Sequence, residues 1–223
     1  MAAEVSRIGL IVIDAQRNFL TGSWMAFIGP GEVTKISHAF NNISSLLQKI
    51  SPDVHVLTTK CFGYTEHDFS FYEPVENALA NLHSDRWTNI IKPHNNILDG
   101  QGAHEWLHDI LSKGIKQVVI GGCTVTSCVR VSSSEIQKHY SKHGIQVYVD
   151  LSLCGARDSN YTKRCEQCLQ LYMYNSLAPP CGKCEQTGDE LKSPVDKAVE
   201  FMTQSGVTVM QQFDWSKYFN QQE

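Results

Sequence analysis

The stretch Val118-Val119-Ile120-Gly121-Gly122-Cys123-Thr124-Val125-Thr126-Ser127-Cys128-Val129 decides the fold. A short apolar run ends in two glycines, a threonine-rich turn follows, and residues 129–143 then read as a helix that stops at Gly144. Strand, turn and helix in that order are the repeating unit of a parallel sheet covered by helices. A sulfur at the start of a helix lies near the positive end of the helix dipole. That field favours the thiolate, which is the nucleophilic form. Position therefore makes Cys128 a candidate nucleophile.

Working outward, continuous apolar runs predict strands at 8–13, 54–58, 118–120, 145–150 and 207–210, with a brief extended piece at 89–92. Helical spacing appears at 33–49 through Val33, Ile36, Phe40, Ile43, Leu46 and Leu47. A short helix is expected at 75–82. Another is expected at 103–113, with Trp106, Leu107, Ile110 and Leu111 on one face and Gly114 at its end. Residues 194–205 form a further helical segment between Ser193 and Gly206. Apolar strands alternating with helices imply a three-layer α/β/α domain with a mostly parallel central sheet. The chain is read as a single domain over residues 1–223. In such sheets ligands bind beyond the carboxyl ends of the strands.

Composition narrows the partners. Nineteen Lys and Arg against 23 Asp and Glu leave a net charge of −4, with a hydrophobic fraction of 42% and a charged fraction of 19%. Nothing there favours nucleic acid or an anionic membrane. The start, Met1-Ala2-Ala3-Glu4-Val5-Ser6-Arg7, lacks the basic and apolar regions of a signal peptide. A cytoplasmic setting is expected, and the eight cysteines are read as reduced thiols or metal ligands rather than a disulfide framework.

Three polar residues stand where apolar strands run out: Asp14, Lys92 and Cys128. A carboxylate, an ammonium and a thiol at neighbouring strand ends make a workable hydrolase. The lysine would depress the thiol pKa. The aspartate would take the thiol proton and later activate water. Backbone N–H groups of the turn before Cys128 would hold the oxyanion of an attacked carbonyl. Taken alone, each residue has an ordinary structural reading; it is their joint order and spacing that favours a site.

These segments resemble those of the isochorismatase-like cysteine hydrolases, the group that includes nicotinamidases and N-carbamoylsarcosine amidohydrolases. The resemblance covers about residues 8–150 and resumes over about 193–210. Val12-Ile13-Asp14-Ala15-Gln16-Arg17-Asn18-Phe19 looks like the first-strand motif, Ile91-Lys92-Pro93 with Asn95-Asn96-Ile97-Leu98 like the lysine segment, and Gly121–Val129 like the nucleophile segment. The resemblance implies catalytic roles for Asp14, Lys92 and Cys128. It implies a non-proline cis peptide between Cys123 and Thr124, and an oxyanion hole from the N–H groups of Thr124 and Cys128. Two departures stand out. Val125 occupies a place where the family often has threonine. The metal ligands that nicotinamidases carry after the second strand are missing from Thr58-Thr59-Lys60-Cys61-Phe62-Gly63-Tyr64. Neither nicotinamide as substrate nor a catalytic cofactor is therefore expected.

Cys165-Glu166-Gln167-Cys168 and Cys181-Gly182-Lys183-Cys184 form two Cys-x2-Cys knuckles. Four such thiolates match a tetrahedral structural Zn²⁺ site. They fall in a segment, residues 160–190, that interrupts the family pattern and is read as an inserted zinc loop. Gly155-Ala156-Arg157 just before it can approach the strand-end site. Phe19, Trp24, Phe62, Tyr64, Phe71 and Trp87 are candidate pocket aromatics, and Gln16 and Asn18 candidate ligand contacts or loop braces. The expected activity is hydrolysis of a C–N amide or ureido bond of a small molecule through a thioester. The alternatives are an inactive binding or regulatory module using the zinc loop and, more weakly, cleavage of another bond such as a vinyl ether. Association of identical chains is possible.

Overall fold

In a computed structural model that describes residues 7–176, 178–187 and 190–220, six parallel strands form one sheet in the order β3-β2-β1-β4-β5-β6. These are β1 (Ile8–Ile13), β2 (Val54–Lys60), β3 (Trp87–Ile91), β4 (Gln117–Cys123), β5 (Gln146–Gly155) and β6 (Thr208–Met210). The order reverses direction at the β1–β4 pair, where Gly9 lies opposite Val118 and Ile13 opposite Gly122. Every residue of β1 is buried. Its side chains alternate between two cores: Ile8, Leu10 and Val12 face one, and Ile11 and Ile13 the other. This is why β1 reads as an unbroken apolar run rather than an alternating one.

The first core lies between the sheet and helices α2 (Thr34–Leu47) and α4 (Glu73–Ala80). The second lies between the sheet and α5 (Ala103–Ser112), α6 (Arg130–Tyr140) and α8 (Pro194–Gln204). The expected three layers are thus present, with element ends within a few residues of the sequence reading. Helix α8 begins with a capping box: Ser193 Oγ accepts from the Asp196 N–H, and the Asp196 carboxylate accepts from the Ser193 N–H. Three helices were not expected from the sequence: α1 (Ser23–Ile28), α3 (Glu66–Phe69) and α7 (Glu166–Tyr174).

Gly122 sits at φ +119°, and a Cβ there would collide with the Ile13 carbonyl. The two strands at the point of reversal therefore approach more closely than any side chain at this position allows. The buried Asp150 carboxylate of β5 is fully engaged. It accepts from Trp215 Nε1 at 3.0 Å and from the Ser152 backbone N–H and hydroxyl at 3.0 and 2.6 Å.

Candidate active site

Asp14, Lys92 and Cys128 converge at the sheet reversal. Asp14 directly follows β1 with φ +50°, in the left-handed region that a short acidic side chain tolerates better than most. Its N–H donates to the Thr59 carbonyl at 3.2 Å, and Thr59 Oγ1 donates to Asp14 Oδ1 at 2.6 Å. The neighbouring end of β2 thus fixes both the backbone and one carboxylate oxygen. The other oxygen, Oδ2, lies 2.7 Å from Lys92 Nζ. Lys92 directly follows β3 and is fully buried, as is Asp14. Its ammonium also donates to the His94 carbonyl at 3.1 Å and to Cys128 Sγ at 3.4 Å. Cys128 in turn donates to Asn95 Oδ1 at 3.4 Å.

The Cys123–Thr124 peptide bond is cis, the position implied by the family resemblance. Cys128 itself does not open an α-helix. It lies in a π turn, Val125–Val129, whose wide loop is closed by the Val129 N–H on the Thr124 carbonyl at 3.1 Å, and α6 starts two residues later. The sequence carries no separate signature for a π turn, so these residues read as an ordinary turn leading into a helix at 129.

The electrostatics correct the sequence reading of the thiol. Burial pushes the Cys128 pKa up, Asp14 pushes it further, and the opposing charge of Lys92 does not outweigh them. Burial also raises Asp14 beyond what Lys92 and Thr59 offset. Lys92 moves up as well: burial alone would lower it, but Asp14 and the Cys128 sulfur outweigh that. A buried lysine already neutralised by an aspartate has little charge left to depress a neighbouring thiol. Before any ligand arrives, burial and Asp14 therefore hold Cys128 toward the thiol, beside the Lys92–Asp14 contact.

The cavity above Cys128 has a volume of about 460 Å³. Thr124, Thr126 and Ser127 of the nucleophile turn line one side, Phe19 and Trp24 another, and Asn95 and Arg157 contribute polar groups. Phe19 and Trp24 meet edge to face at 5.1 Å. Of the other aromatics, Phe62 and Tyr64 line an adjoining hollow with Phe27, Phe71 belongs to the core, and Trp87 donates to Thr58 Oγ1 at 2.9 Å. Gln16 and Asn18 brace loops: Gln16 Oε1 accepts from the Cys61 N–H at 2.8 Å, and Asn18 Oδ1 from the Trp24 N–H at 2.9 Å. Arg157 does reach the cavity, held by Glu32 at 3.3 Å. Asn95, Asn160, Tyr172, Met173 and Ser176 also line it, and sequence reasoning missed them. Asn95 was inside a quoted motif; the others come from the segment read only as metal-binding.

The second cluster lies beside this cavity. The sulfurs of Cys165, Cys168, Cys181 and Cys184 all fall within 4.8 Å of one another. No disulfide joins them. A tetrahedral zinc thiolate with bonds near 2.3 Å needs sulfurs roughly 3.8 Å apart, so only a small contraction separates this donor set from one that binds a metal. Gly182 holds φ +72° in the second knuckle, and the Cys181 N–H donates to Cys168 Sγ at 3.3 Å. Backbone and neighbouring thiol hydrogen bonds, the Cys165 N–H first, bring Cys184 down to about 7. Hydrogen bonding with Cys181 takes Cys168 up to about 12. Among the described residues no helix is long and apolar enough to cross a membrane.

No protein-family model and no curated protein matches the chain by sequence. Solved structures do match it by fold. The chain is similar to a pyrazinamidase/nicotinamidase from Streptococcus mutans, with 13% identity, TM-score 0.58, and 91% of this chain and 99% of that one covered. PnC1 from L. infantum, solved in complex with nicotinate, aligns with 14% identity, TM-score 0.58, and 95% and 96% coverage. An isochorismatase-like hydrolase from Alkaliphilus metalliredigens aligns with 13% identity, TM-score 0.53, and 93% coverage of both chains. The chain has the isochorismatase-like α/β fold and carries a four-cysteine cluster that could hold a metal.

Proposed function

We propose that the protein is a cysteine hydrolase that cleaves a C–N amide or ureido bond of a small molecule, with Asp14, Lys92 and Cys128 as its catalytic residues. One observation carries this reading: a fully buried lysine reaches both the Asp14 carboxylate, at 2.7 Å, and the Cys128 sulfur, at 3.4 Å, at the floor of an open cavity. A buried carboxylate–ammonium pair contributes little to stability compared with apolar packing. Its presence beside a thiol calls for a chemical reason.

In the proposed reaction Cys128 Sγ adds to the carbonyl carbon as its proton passes to Asp14. The charge that develops on the carbonyl oxygen is held by the backbone N–H groups of Thr124 and Cys128. Asp14 gives the proton to the leaving nitrogen, the C–N bond breaks, and a thioester remains. Asp14 then takes a proton from water as the water attacks the thioester; the C–S bond breaks, the acid leaves, and Asp14 returns the proton to Cys128 Sγ. Lys92 stays protonated throughout and keeps the carboxylate from holding the proton too tightly. The raised Asp14 pKa suits this traffic, because a carboxyl that accepts protons more readily than usual is a better base for a thiol. Solved relatives in fold include a pyrazinamidase/nicotinamidase, which is consistent with amide chemistry.

Residues 160–190 are read as an insert whose four cysteines hold one structural Zn²⁺. All four tetrahedral positions would be filled by sulfur, which leaves none for substrate. The setting is proposed to be cytoplasmic, which suits eight free thiols.

Screening carboxamides and ureido acids for release of ammonia or amine tests the function. Cys128→Ser is expected to abolish turnover, about 10³-fold or more, with zinc content unchanged. Full turnover in that variant rejects the reading. So does the absence of any thioester on the Cys128 peptide in rapidly quenched turnover of the wild type. The protein would then be better described as a binding module built around its four-cysteine segment.

A further inference from the structure

Helix α7 carries two of the four cysteines at one end and cavity-lining residues at the other. Cys165 is its N-cap residue and Cys168 lies in its first turn, whereas Tyr172 and Met173 line the cavity above Cys128. Cys165, Cys168, Leu169 and Tyr172 follow the spacing of one helical face, and all four are buried. Among the described residues, the apolar cluster around Cys165, Cys168 and Cys184 adds Leu191. The four sulfurs gathered within 4.8 Å of one another, rather than a large apolar core, mark this end of the helix.

From Tyr172 a polar chain runs to the nucleophile turn. Tyr172 OH donates to Asn160 Oδ1 at 2.8 Å, and Asn160 Nδ2 donates to Thr126 Oγ1 at 3.3 Å. Thr126 is part of the π turn that contains Cys128. The Tyr172 ring is fixed from its other side by the Arg164 guanidinium, 3.9 Å from the ring centroid. Arg164 is itself held by the Ser159 and Thr162 carbonyls at 3.0 and 2.7 Å. Just past α7, Ser176 Oγ accepts from Arg157 Nη1 at 3.2 Å, so a second cavity residue is tied to the same segment.

We propose that Tyr172 is a positioning residue for the Cys128 turn and that the metal in the four-cysteine site sets where Tyr172 stands. Occupancy of that site is then transmitted to the cavity through Tyr172, Asn160 and Thr126. The consequence for catalysis rests on the reading of Cys128 as the nucleophile. The coupling is measurable without turnover, so failure of either idea is seen separately.

The full-length protein is compared zinc-loaded and after stripping by a chelator. Two quantities are followed by peptide mass spectrometry: hydrogen exchange over residues 122–131, and alkylation of Cys128 by excess iodoacetamide or the bulkier N-phenylmaleimide. Stripping is expected to speed exchange in that peptide about tenfold and to raise the maleimide-to-iodoacetamide ratio at Cys128 about fivefold as the cavity wall is lost. Peptides of β1 and β2 should not change. Tyr172→Phe keeps the ring over Arg164 and should still bind one zinc, but it loses the donor. With zinc bound it is expected to show the faster exchange already, with the ring still walling the cavity and the alkylation ratio unchanged, and stripping should add less than about twofold to the exchange. Thr126→Val, which removes the far acceptor, should behave the same way. A zinc-loaded Tyr172→Phe protein indistinguishable from wild type overturns the proposal. So do equal effects of stripping on exchange in both proteins, and failure to bind one zinc per chain.

Discussion

The strand-end site and the four-cysteine segment lie side by side and are built in opposite ways. Asp14, Lys92 and Cys128 are far apart in sequence and meet because β1, β3 and β4 end at one edge of the same sheet. Their positions are fixed by two large apolar cores. The four cysteines lie within twenty positions of each other; among the described residues Cys165, Cys168 and Cys184 share a cluster with one partly buried leucine, and Cys181 is exposed. Little apolar surface is gathered there to offset chain entropy, so on the proposed reading a metal bound by these sulfurs would hold the segment. Topology can hold a reactive, electrostatically costly group in place, whereas a short irregular segment needs bonds.

That contrast can be broken at either region. The largest effect is expected at the point of strand reversal. Gly122→Ala forces a Cβ into the Ile13 backbone at a positive φ, and should cost about 3 kcal/mol or more by denaturant titration. A cost under about 1 kcal/mol would show that β1 and β4 can separate and that the sheet does not fix the site rigidly. Metal removal should act locally instead. Residues 165–187 should lose protection from hydrogen exchange by roughly 100-fold while the β1 and β2 peptides keep theirs. Loss of protection in all of them would mean that the sheet also depends on the metal.

A smaller effect sharpens the link between the regions. Glu32 accepts from the Ser159 N–H and hydroxyl and pairs with Arg157. Burial opposes its charge, but these partners outweigh it and hold its pKa below the ordinary value. A depressed carboxylate stabilises the fold above its unfolded pKa, and that contribution fades as pH falls through the folded one. The stability difference between wild type and Glu32→Gln should be full at neutral pH and shrink as the solution becomes more acid than an exposed glutamate's pKa. A difference that grows toward acid pH would refute the assignment.

Much of this was legible in the residues. The apolar runs, the helical spacings and the glycine stops mark most of the layers, because each reports local geometry or two-sided burial. The three polar strand ends and the two cysteine knuckles marked both regions. Other features were hidden for specific reasons. Helix α7 was missed because Cys165 and Cys168 were read for their sulfurs, and the helical stripe they form with Leu169 and Tyr172 was passed over. The π turn has no spacing of its own. The sign of the Cys128 shift was misjudged because burial of the thiol, and then the Asp14 charge, outweigh Lys92, and burial is set in three dimensions. Asn160 joins the cavity only because the chain after β5 folds back over the nucleophile turn.

The central claim is that Asp14, Lys92 and Cys128 form one charge-coupled site. The pH midpoint of Cys128 alkylation, compared in wild type, Asp14→Asn and Lys92→Met, tests it most directly. In wild type the midpoint should lie above that of an exposed cysteine, since burial and Asp14 both favour the thiol. Asp14→Asn removes a negative charge and should move it down, whereas Lys92→Met removes the opposing positive charge and should move it up. Midpoints that do not move, or that move the same way in both variants, would contradict the account.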